Sequence, residues 1–393
     1  MKKKILIVSS SLSMGGLEKC LINLCDNLDY ERYEVDLYLF NEGRTLIDKL
    51  NKNVNLLPDS PYYATVFNRS LFNSVKELLK RGRLGLAFYR FVRFIKARLG
   101  RTSFTTYDWK QMKKTMLKID KHYDVAIGFE EGSACYYTAE CVSADKRIGW
   151  IHTDIKKIDS NKELDERAFT ALDHVVTVSE NSLNSLNEIY PDYTDKFRAI
   201  KLPALINEDE VDSLSLEPNE MDDSVIKILS VGRLVELKGF HLCVEPCRRL
   251  VDEGYKLKWY VVGEGDYRAV IESEIERYAV RDHFILLGNQ LNPYTYFRSA
   301  DMVVLPSSYE GFGMTPSEAK YFSKAVVVSD IPSYRELITD GVNGLVIERN
   351  SESIYKAVKY LLDNKEKRLE IASSPINSGI NNSSIIEEIE SLF

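Results

Sequence analysis

The residues best placed to do chemistry lie late in the chain, in LPSSYEGFGMTPSEA, residues 305–319. Glu310 and Glu318 stand eight positions apart, with Gly311-Phe312-Gly313, Met314 and a Thr-Pro between them. A local account covers part of this. ADMVVLP (300–306) reads as a buried strand and AVVVSD (325–330) as the next, so the segment between must turn and return as a helix. Thr315-Pro316-Ser317-Glu318 fits a capping box, with Thr315 at the N-cap, Pro316 at the first helical position and Glu318 at N3. Glu310 has no task in that account. A helix N-terminus at the carboxyl end of a strand is also where open α/β sheets hold anionic ligands.

Four other stretches carry chemistry at strand ends. In SSSLSMGGLEK (9–19), Gly15-Gly16 lets backbone approach a ligand closely just before a helix beginning near Leu17. The stretch is not GxGxxG and lacks the acidic residue a dinucleotide site needs, so it is either an anion loop or a bare tight turn. In VGRLVELKG (231–239), Arg233 and Lys238 bracket a loop that suits a pyrophosphate, one as a planar fork and one as a point charge. Gly263-Glu264-Gly265 in VVGEGDYR reads as turn chemistry. In WIHTD (150–154), His152 leaves a strand beside Asp154, as a structural or a site histidine. No His/Cys cluster has metal-ligand spacing. The acidic NEDEVD (207–212) does not follow a strand, so no metal and no cofactor are expected.

These loops need strands and helices to hold them. Apolar runs at 3–9, 34–40, 53–57, 124–129, 146–151 and 174–179 read as strands, and so do 226–232, 256–263, 283–288, 302–306, 325–329 and 344–347. Amphipathic segments separate them; Leu17, Cys20, Leu21, Leu24, Cys25 and Leu28 mark one helical face. This alternation predicts an α/β chain of two Rossmann-like domains, each a parallel sheet with helices on both faces, facing one another across a cleft. The boundary falls in the acidic connector 203–224. It separates a first domain, 1–203, carrying a basic helical insert at about 70–121, from a second, 204–379. The final amphipathic segment, about 380–393, is a candidate to pack back on the first domain.

The composition is that of an ordinary globular protein. No apolar run reaches the ~18 residues of a membrane span. MKKKILIVSS reads as a first strand, its apolar part being too short for a signal peptide. Six cysteines without a CxxC pair suit a reducing, cytoplasmic compartment. The net charge of −7 hides an asymmetry, since residues 75–121 carry fourteen Lys and Arg against three acids. A uniformly basic nucleic-acid binder is not indicated; one local basic surface is.

Taken together, these residues resemble the retaining glycosyltransferases of the GT-B fold, in the large family four. The likeness rests on Gly15-Gly16-Leu17-Glu18, Arg233-x4-Lys238, Gly263-Glu264-Gly265 and, above all, Glu310-x7-Glu318. Ser329-Asp330, Glu336-Leu337-Ile338 and Asp340-Gly341-Val342-Asn343-Gly344 continue it. Ser323-Lys324-Ala325 departs from it: relatives carry a Gly and a Pro there, and a somewhat different helix-to-strand turn is expected.

The resemblance implies retaining, metal-independent transfer of a sugar from a nucleotide-diphosphate donor, UDP first, to a glycan or lipid-linked saccharide in bacterial surface-polysaccharide synthesis. Glu310 would face the donor sugar. The N–H groups from Gly311 and Phe312 through Gly313 to Met314 would hold its hydroxyls and phosphate, and Glu318 the ribose. Gly263, Glu264 and Leu287 are further donor contacts. Arg233, Lys238 and N–H groups near Gly16 would stabilise the leaving diphosphate, and His152 would position the acceptor or the sugar. A nucleotide-sugar 2-epimerase and a non-catalytic glycosyltransferase-like subunit are the alternatives. The insert then has two readings. Leu84, Phe88, Phe91, Phe94 and Ile95 with Arg83, Arg90, Arg93, Lys96 and Arg98 form either an interfacial helix for an anionic inner leaflet or helices packed on the first domain.

Overall fold

The computed structural model describes residues 2–13, 15–100, 103–201, 221–222, 224–290, 292–376 and 382–393. The chain forms two compact units, Met1–Leu205 with Asn382–Phe393, and Ile206–Asn381. The acidic connector and its NEDEVD stretch lie almost wholly outside the described residues.

In the first unit the strands are β1 (Lys3–Ser9), β2 (Tyr33–Leu39), β3 (Asn55–Leu56), β4 (His122–Gly128), β5 (Ser143–Ile151), β6 (His174–Thr177) and β7 (Phe197–Ala199). They form one parallel sheet in the order β3-β2-β1-β4-β5-β6-β7. Unbroken apolar runs such as Ile5–Val8 are fully buried because helices cover both faces of a parallel sheet. β7 was not expected from the sequence: three residues at a sheet edge, Phe-Arg-Ala, offer no apolar run. The helix Gly16–Asn27 follows β1 and buries Cys20, Leu21, Leu24 and Cys25. The last helix, Asn382–Glu390, belongs to this unit. Arg32 pairs with Glu390 at 2.6 Å, and the Tyr33 and Phe393 rings meet edge-on at 5.6 Å.

Between β3 and β4 stand the helices Tyr63–Phe67, Leu71–Lys80, Leu84–Arg98 and Thr106–Lys113. They hold a small core of their own, Val66, Leu78, Leu86, Ala87 and Tyr89. The Phe40–Tyr63 ring contact (5.1 Å) and an Asn68 Nδ2 bond to Asn41 Oδ1 (2.7 Å) tie this layer to the carboxyl end of β2.

The second unit contains β8 (Ile226–Val231), β9 (Leu257–Val262), β10 (Phe284–Gly288), β11 (Met302–Leu305), β12 (Ala325–Ser329) and β13 (Leu345–Ile347). These too are parallel, in the order β10-β9-β8-β11-β12-β13. Each sheet therefore reverses its winding once, between β1 and β4 in the first unit and between β8 and β11 in the second. At such a reversal the connections leave in opposite directions and open a crevice at the strands' carboxyl ends.

The cysteines are free thiols, and Cys20, Cys25, Cys135, Cys243 and Cys247 are buried. Among the described residues no helix is long and apolar enough to cross a membrane, and no group of three His, Cys, Asp or Glu side chains is arranged to hold a metal ion.

Candidate active site

The second unit's crevice gathers residues that are far apart in sequence. After β8 the chain makes a short 3-10 turn, Glu236–Lys238, and leaves it through Gly239 at φ 71°. A Cβ at Gly239 would lie 2.3 Å from the Pro306 carbonyl oxygen, so only glycine fits where this loop crosses the end of β11. The Ser308 N–H donates to the Leu237 carbonyl at 2.8 Å, and Arg349 donates to the Pro306 and Glu236 carbonyls at 3.0 and 2.9 Å. So clamped, the loop sets Lys238 Nζ 2.5 Å from Glu310 Oε1.

That carboxylate oxygen also accepts from Ser307 Oγ at 2.8 Å and from the Tyr334 hydroxyl at 3.1 Å. Tyr334 donates as well toward Ser307 Oγ at 3.2 Å, and Ser329 Oγ donates to the Ser307 carbonyl. Burial, with Glu310 beside it, raises the Tyr334 pKa well above the ordinary phenol value, so its hydroxyl keeps its proton. Glu310 is thus held by an ammonium and two hydroxyls. The sequence reading missed Ser307 and Tyr334, and named Ser329 only as part of the resemblance. A faint signal existed in Pro332, which opens the helix Pro332–Leu337 directly after β12.

The expected capping box does not form. The helix after Glu310 begins at Met314 and runs to Tyr321, with Gly313 (φ 107°) as its N-cap and no side-chain cap. Pro316 sits at N3 and Glu318 in the second turn, buried. Starting the helix two residues early places the Gly313–Met314 N–H groups at its open end. A side chain on Gly313 would press on Tyr334 and Leu337 at 3.1–3.2 Å in a backbone conformation that side chains resist. Phe312 is buried, and Gly311 is partly exposed.

The helix ends in a Schellman motif: Lys324 N–H donates to the Ala319 carbonyl and Ser323 N–H to the Lys320 carbonyl, both at 2.9 Å. Ser323 occupies the left-handed position at φ 52°. The turn is therefore a glycine-type turn, carried by a serine.

Arg233 is exposed and makes no side-chain ion pair among the described residues, leaving one cation of the pair unneutralised. Gly263 (φ 143°) is obligatory on space alone, since a Cβ would lie 1.9 Å from the Gly232 carbonyl oxygen. It joins three strand ends, with Gly263 N–H on the Gly288 carbonyl at 2.8 Å and Leu234 N–H on the Glu264 carbonyl at 2.9 Å. The Glu264 side chain pairs with Arg268. The Leu287 carbonyl accepts from Gln290 at 2.9 Å.

In the first unit, the helix at the end of β1 starts at Gly16, with Gly15 extended before it. A Cβ on Gly15 would stand 2.4 Å from Glu18 Oε2, so a carboxylate leans over this helix's first turn. The His152 ring lies against Phe129, centroids 4.9 Å apart, and its backbone N–H donates to Glu131 Oε2 at 2.9 Å. Asp154 accepts from the Lys156 N–H at 3.0 Å and caps the following turn. His152 Nε2 is buried without a hydrogen-bond partner among the described residues, and burial lowers the imidazole pKa to about 4. The ring is therefore neutral near pH 7. Glu130, which the sequence reading passed over, accepts from Ser10 Oγ at 2.9 Å, and burial raises its carboxyl pKa to about 7. A cavity of about 280 Å³ opens beside this edge, lined in part by Phe104, Glu131, Tyr136, Asn161 and Phe169.

The comparisons with known proteins fit this geometry. Residues 215–374 match the protein family described as glycosyl transferases group 1. The Staphylococcus aureus capsular polysaccharide biosynthesis glycosyltransferase CapM is 22% identical over 196 residues, 47% of this chain and 52% of that one. A Campylobacter jejuni diphospho-undecaprenol 4-alpha-N-acetylgalactosaminyltransferase is 31% identical over 163 residues, 40% of this chain and 44% of that one. The chain spans about half the length of the curated relatives it matches. Anabaena HepE, solved with UDP and glucose, superposes with a TM-score of 0.71 at 16% identity, covering 99% of this chain and 98% of that one. Two parallel Rossmann-like sheets in one chain are the GT-B fold, and over residues 215–374 the second unit is similar to the glycosyl transferases group 1 family.

Proposed function

We propose that this chain transfers a sugar, with retention and without a metal, from a nucleotide-diphosphate donor to a glycan or lipid-linked saccharide in bacterial surface-polysaccharide synthesis. UDP is the first donor to test, because HepE was solved with UDP and with UDP-glucose. A lipid-linked acceptor is suggested by the diphospho-undecaprenol in the C. jejuni relative's name, and the polysaccharide setting by CapM. The observation that carries the reading is the Lys238–Glu310 pair with its Ser307 and Tyr334 donors, on a loop that also carries Arg233, which makes no ion pair among the described residues.

The chemistry follows from charge. When the anomeric C–O bond breaks, the sugar becomes oxocarbenium-like and the diphosphate gains negative charge. Arg233 and Lys238 lie on one loop and stand where a diphosphate would need fixed positive charge; the N–H groups at Gly313–Met314 add donors. Glu310, held by Lys238 and Tyr334, faces the sugar, and Glu318 is assigned to the ribose. Retention follows either from same-face attack, with the acceptor's hydroxyl proton leaving on the diphosphate, or from two inversions through a covalent carboxylate intermediate. In this reading the first unit supplies the Gly15-Gly16 N–H groups and a neutral His152 that positions a hydroxyl.

Donor hydrolysis and transfer, measured across UDP-, GDP- and ADP-sugars with and without a chelator, test this. Turnover of at least one donor that survives chelation and falls by about 10²–10³ in Lys238→Ala is expected. No turnover of any donor, or a chelator-sensitive rate indifferent to Lys238, would overturn it.

A further inference from the structure

The helical layer of the first unit has a face that none of the described residues covers. Along the helix Leu84–Arg98 the exposed apolar residues are Leu84 (68% exposed), Phe88 (66%), Phe91 (48%) and Ile95 (42%), with Leu99 (66%) just beyond. Their spacing, i, i+4, i+7, i+11 and i+15, draws one stripe along a helix. The packed residues Leu86 and Tyr89 lie on the opposite side. The preceding helix, Leu71–Lys80, repeats the pattern, with Phe72 (74%) and Leu79 (49%) outward and Ser74 and Leu78 buried. Large hydrophobes exposed in register on two neighbouring helices form a patch, unlike the scattered ones any surface carries.

Charge says what covers it. Residues 69–100 contain nine Lys and Arg against one Glu, in a chain whose net charge is −7. Arg83, Arg93 and Arg98 are exposed, with guanidiniums over Tyr62, Phe67 and Phe94 at 4.7–4.8 Å. Arg90 is the exception among the cations singled out from the sequence: it turns inward, donating to the Arg69 carbonyl at 3.2 Å. Lys96 is only partly exposed. A second copy of this face would bring like charges together.

Position adds a reason. The layer is tied to Phe40 and Asn41 at the end of β2, and β2 neighbours β1, whose carboxyl end carries Gly15 and Gly16. The patch thus grows from the ligand edge of its own sheet. We propose that these two helices seat the chain on an anionic lipid surface, with Phe72, Leu84, Phe88, Phe91 and Ile95 entering the headgroup boundary and Arg83 and Arg98 meeting the lipid charge, while Arg93 lies on the packed side over Phe67.

The test uses the full chain and no donor, so its result is independent of the transfer reading. Flotation is measured with phosphatidylcholine vesicles, pure or containing about a third phosphatidylglycerol, at about 0.1 M salt. The wild type should float with the anionic vesicles and remain behind with the neutral ones. Phe88→Ser/Phe91→Ser and Arg83→Gln/Arg98→Gln, all at exposed positions, should each weaken partitioning by about tenfold or more while retaining the wild-type circular dichroism and melting curve. Absence of flotation, flotation that ignores both variants, or a dimer in solution dispersed by Phe88→Ser/Phe91→Ser would overturn the proposal.

Discussion

Glu130→Gln should change the pH dependence of stability in a direction that the buried edge of the first unit dictates. An unfolded glutamate titrates at about 4.3, whereas burial holds the folded Glu130 at about 7. Between these values the folded state binds more protons, so this group's contribution falls as pH rises and levels off above about 7. At about 1.4 kcal/mol per pH unit the full loss is roughly 4 kcal/mol, and water at the partly exposed rim trims it to roughly 2–3. His152 acts in the opposite direction. Its imidazole is held down at about 4 against an unfolded value of about 6.5, so its contribution is lost as pH falls through that window. The two slopes offset, and this pair leaves the wild type nearly flat between about pH 5 and 8.

Glutamine can still accept from Ser10 but cannot ionise. Glu130→Gln should therefore exceed the wild type by about 2–3 kcal/mol near pH 8, and by under about 1 kcal/mol near pH 5, where the unopposed histidine slope appears. Urea unfolding followed by Trp109 and Trp150 fluorescence, with Trp259→Phe to silence the second unit, reports this. A gap between variant and wild type that is the same at both pH values would refute the reasoning.

Other expectations concern the second unit. Ser323→Gly relieves a left-handed serine in the Schellman turn and should stabilise the unit by about 1 kcal/mol in thermal melts; Ala279, at φ 51° in the same kind of turn after the helix Arg268–Arg277, should respond alike. Tyr334→Phe leaves Glu310 with Lys238 and Ser307, so kcat should fall about tenfold with little change in the melting temperature. Lys320 Nζ donates to the Ile371 and Ala372 carbonyls at the end of the helix Lys365–Ser373, and Lys320→Met should destabilise the unit by about 2 kcal/mol by leaving those buried acceptors unpaired.

Much was legible in the order of residues. Apolar runs bounded by glycine and polar turns marked all six strands of the second unit and six of the seven in the first, because burial on both faces writes itself as continuous hydrophobicity. Glycines at 239, 263 and 313 could be read as turn residues from type alone, though not what each would collide with. The helix start at Met314 was misread because Thr-Pro-Ser-Glu is a sound local signal, and the packing of Gly313 against Tyr334 and Leu337 outweighs it. β7 left no trace, its three residues being defined by an edge partner alone.

What the sequence determined by itself is the set of groups at strand ends: Arg233, Lys238, Glu310, Gly15 and His152 follow apolar runs, and such runs end where a parallel sheet offers its ligand edge. Tertiary structure decided which ends are neighbours. The winding reversal between β8 and β11 brings Lys238 to Glu310 across 72 positions, and it adds Ser307 and Tyr334, which no spacing announces. Burial, too, is a property of the folded whole: it alone sets Glu130 and His152 on opposite sides of their ordinary pKa values, and turns Arg90 inward while Phe88 faces out. Linear order records each residue's chemistry; only the fold fixes the distances and the dielectric through which that chemistry acts.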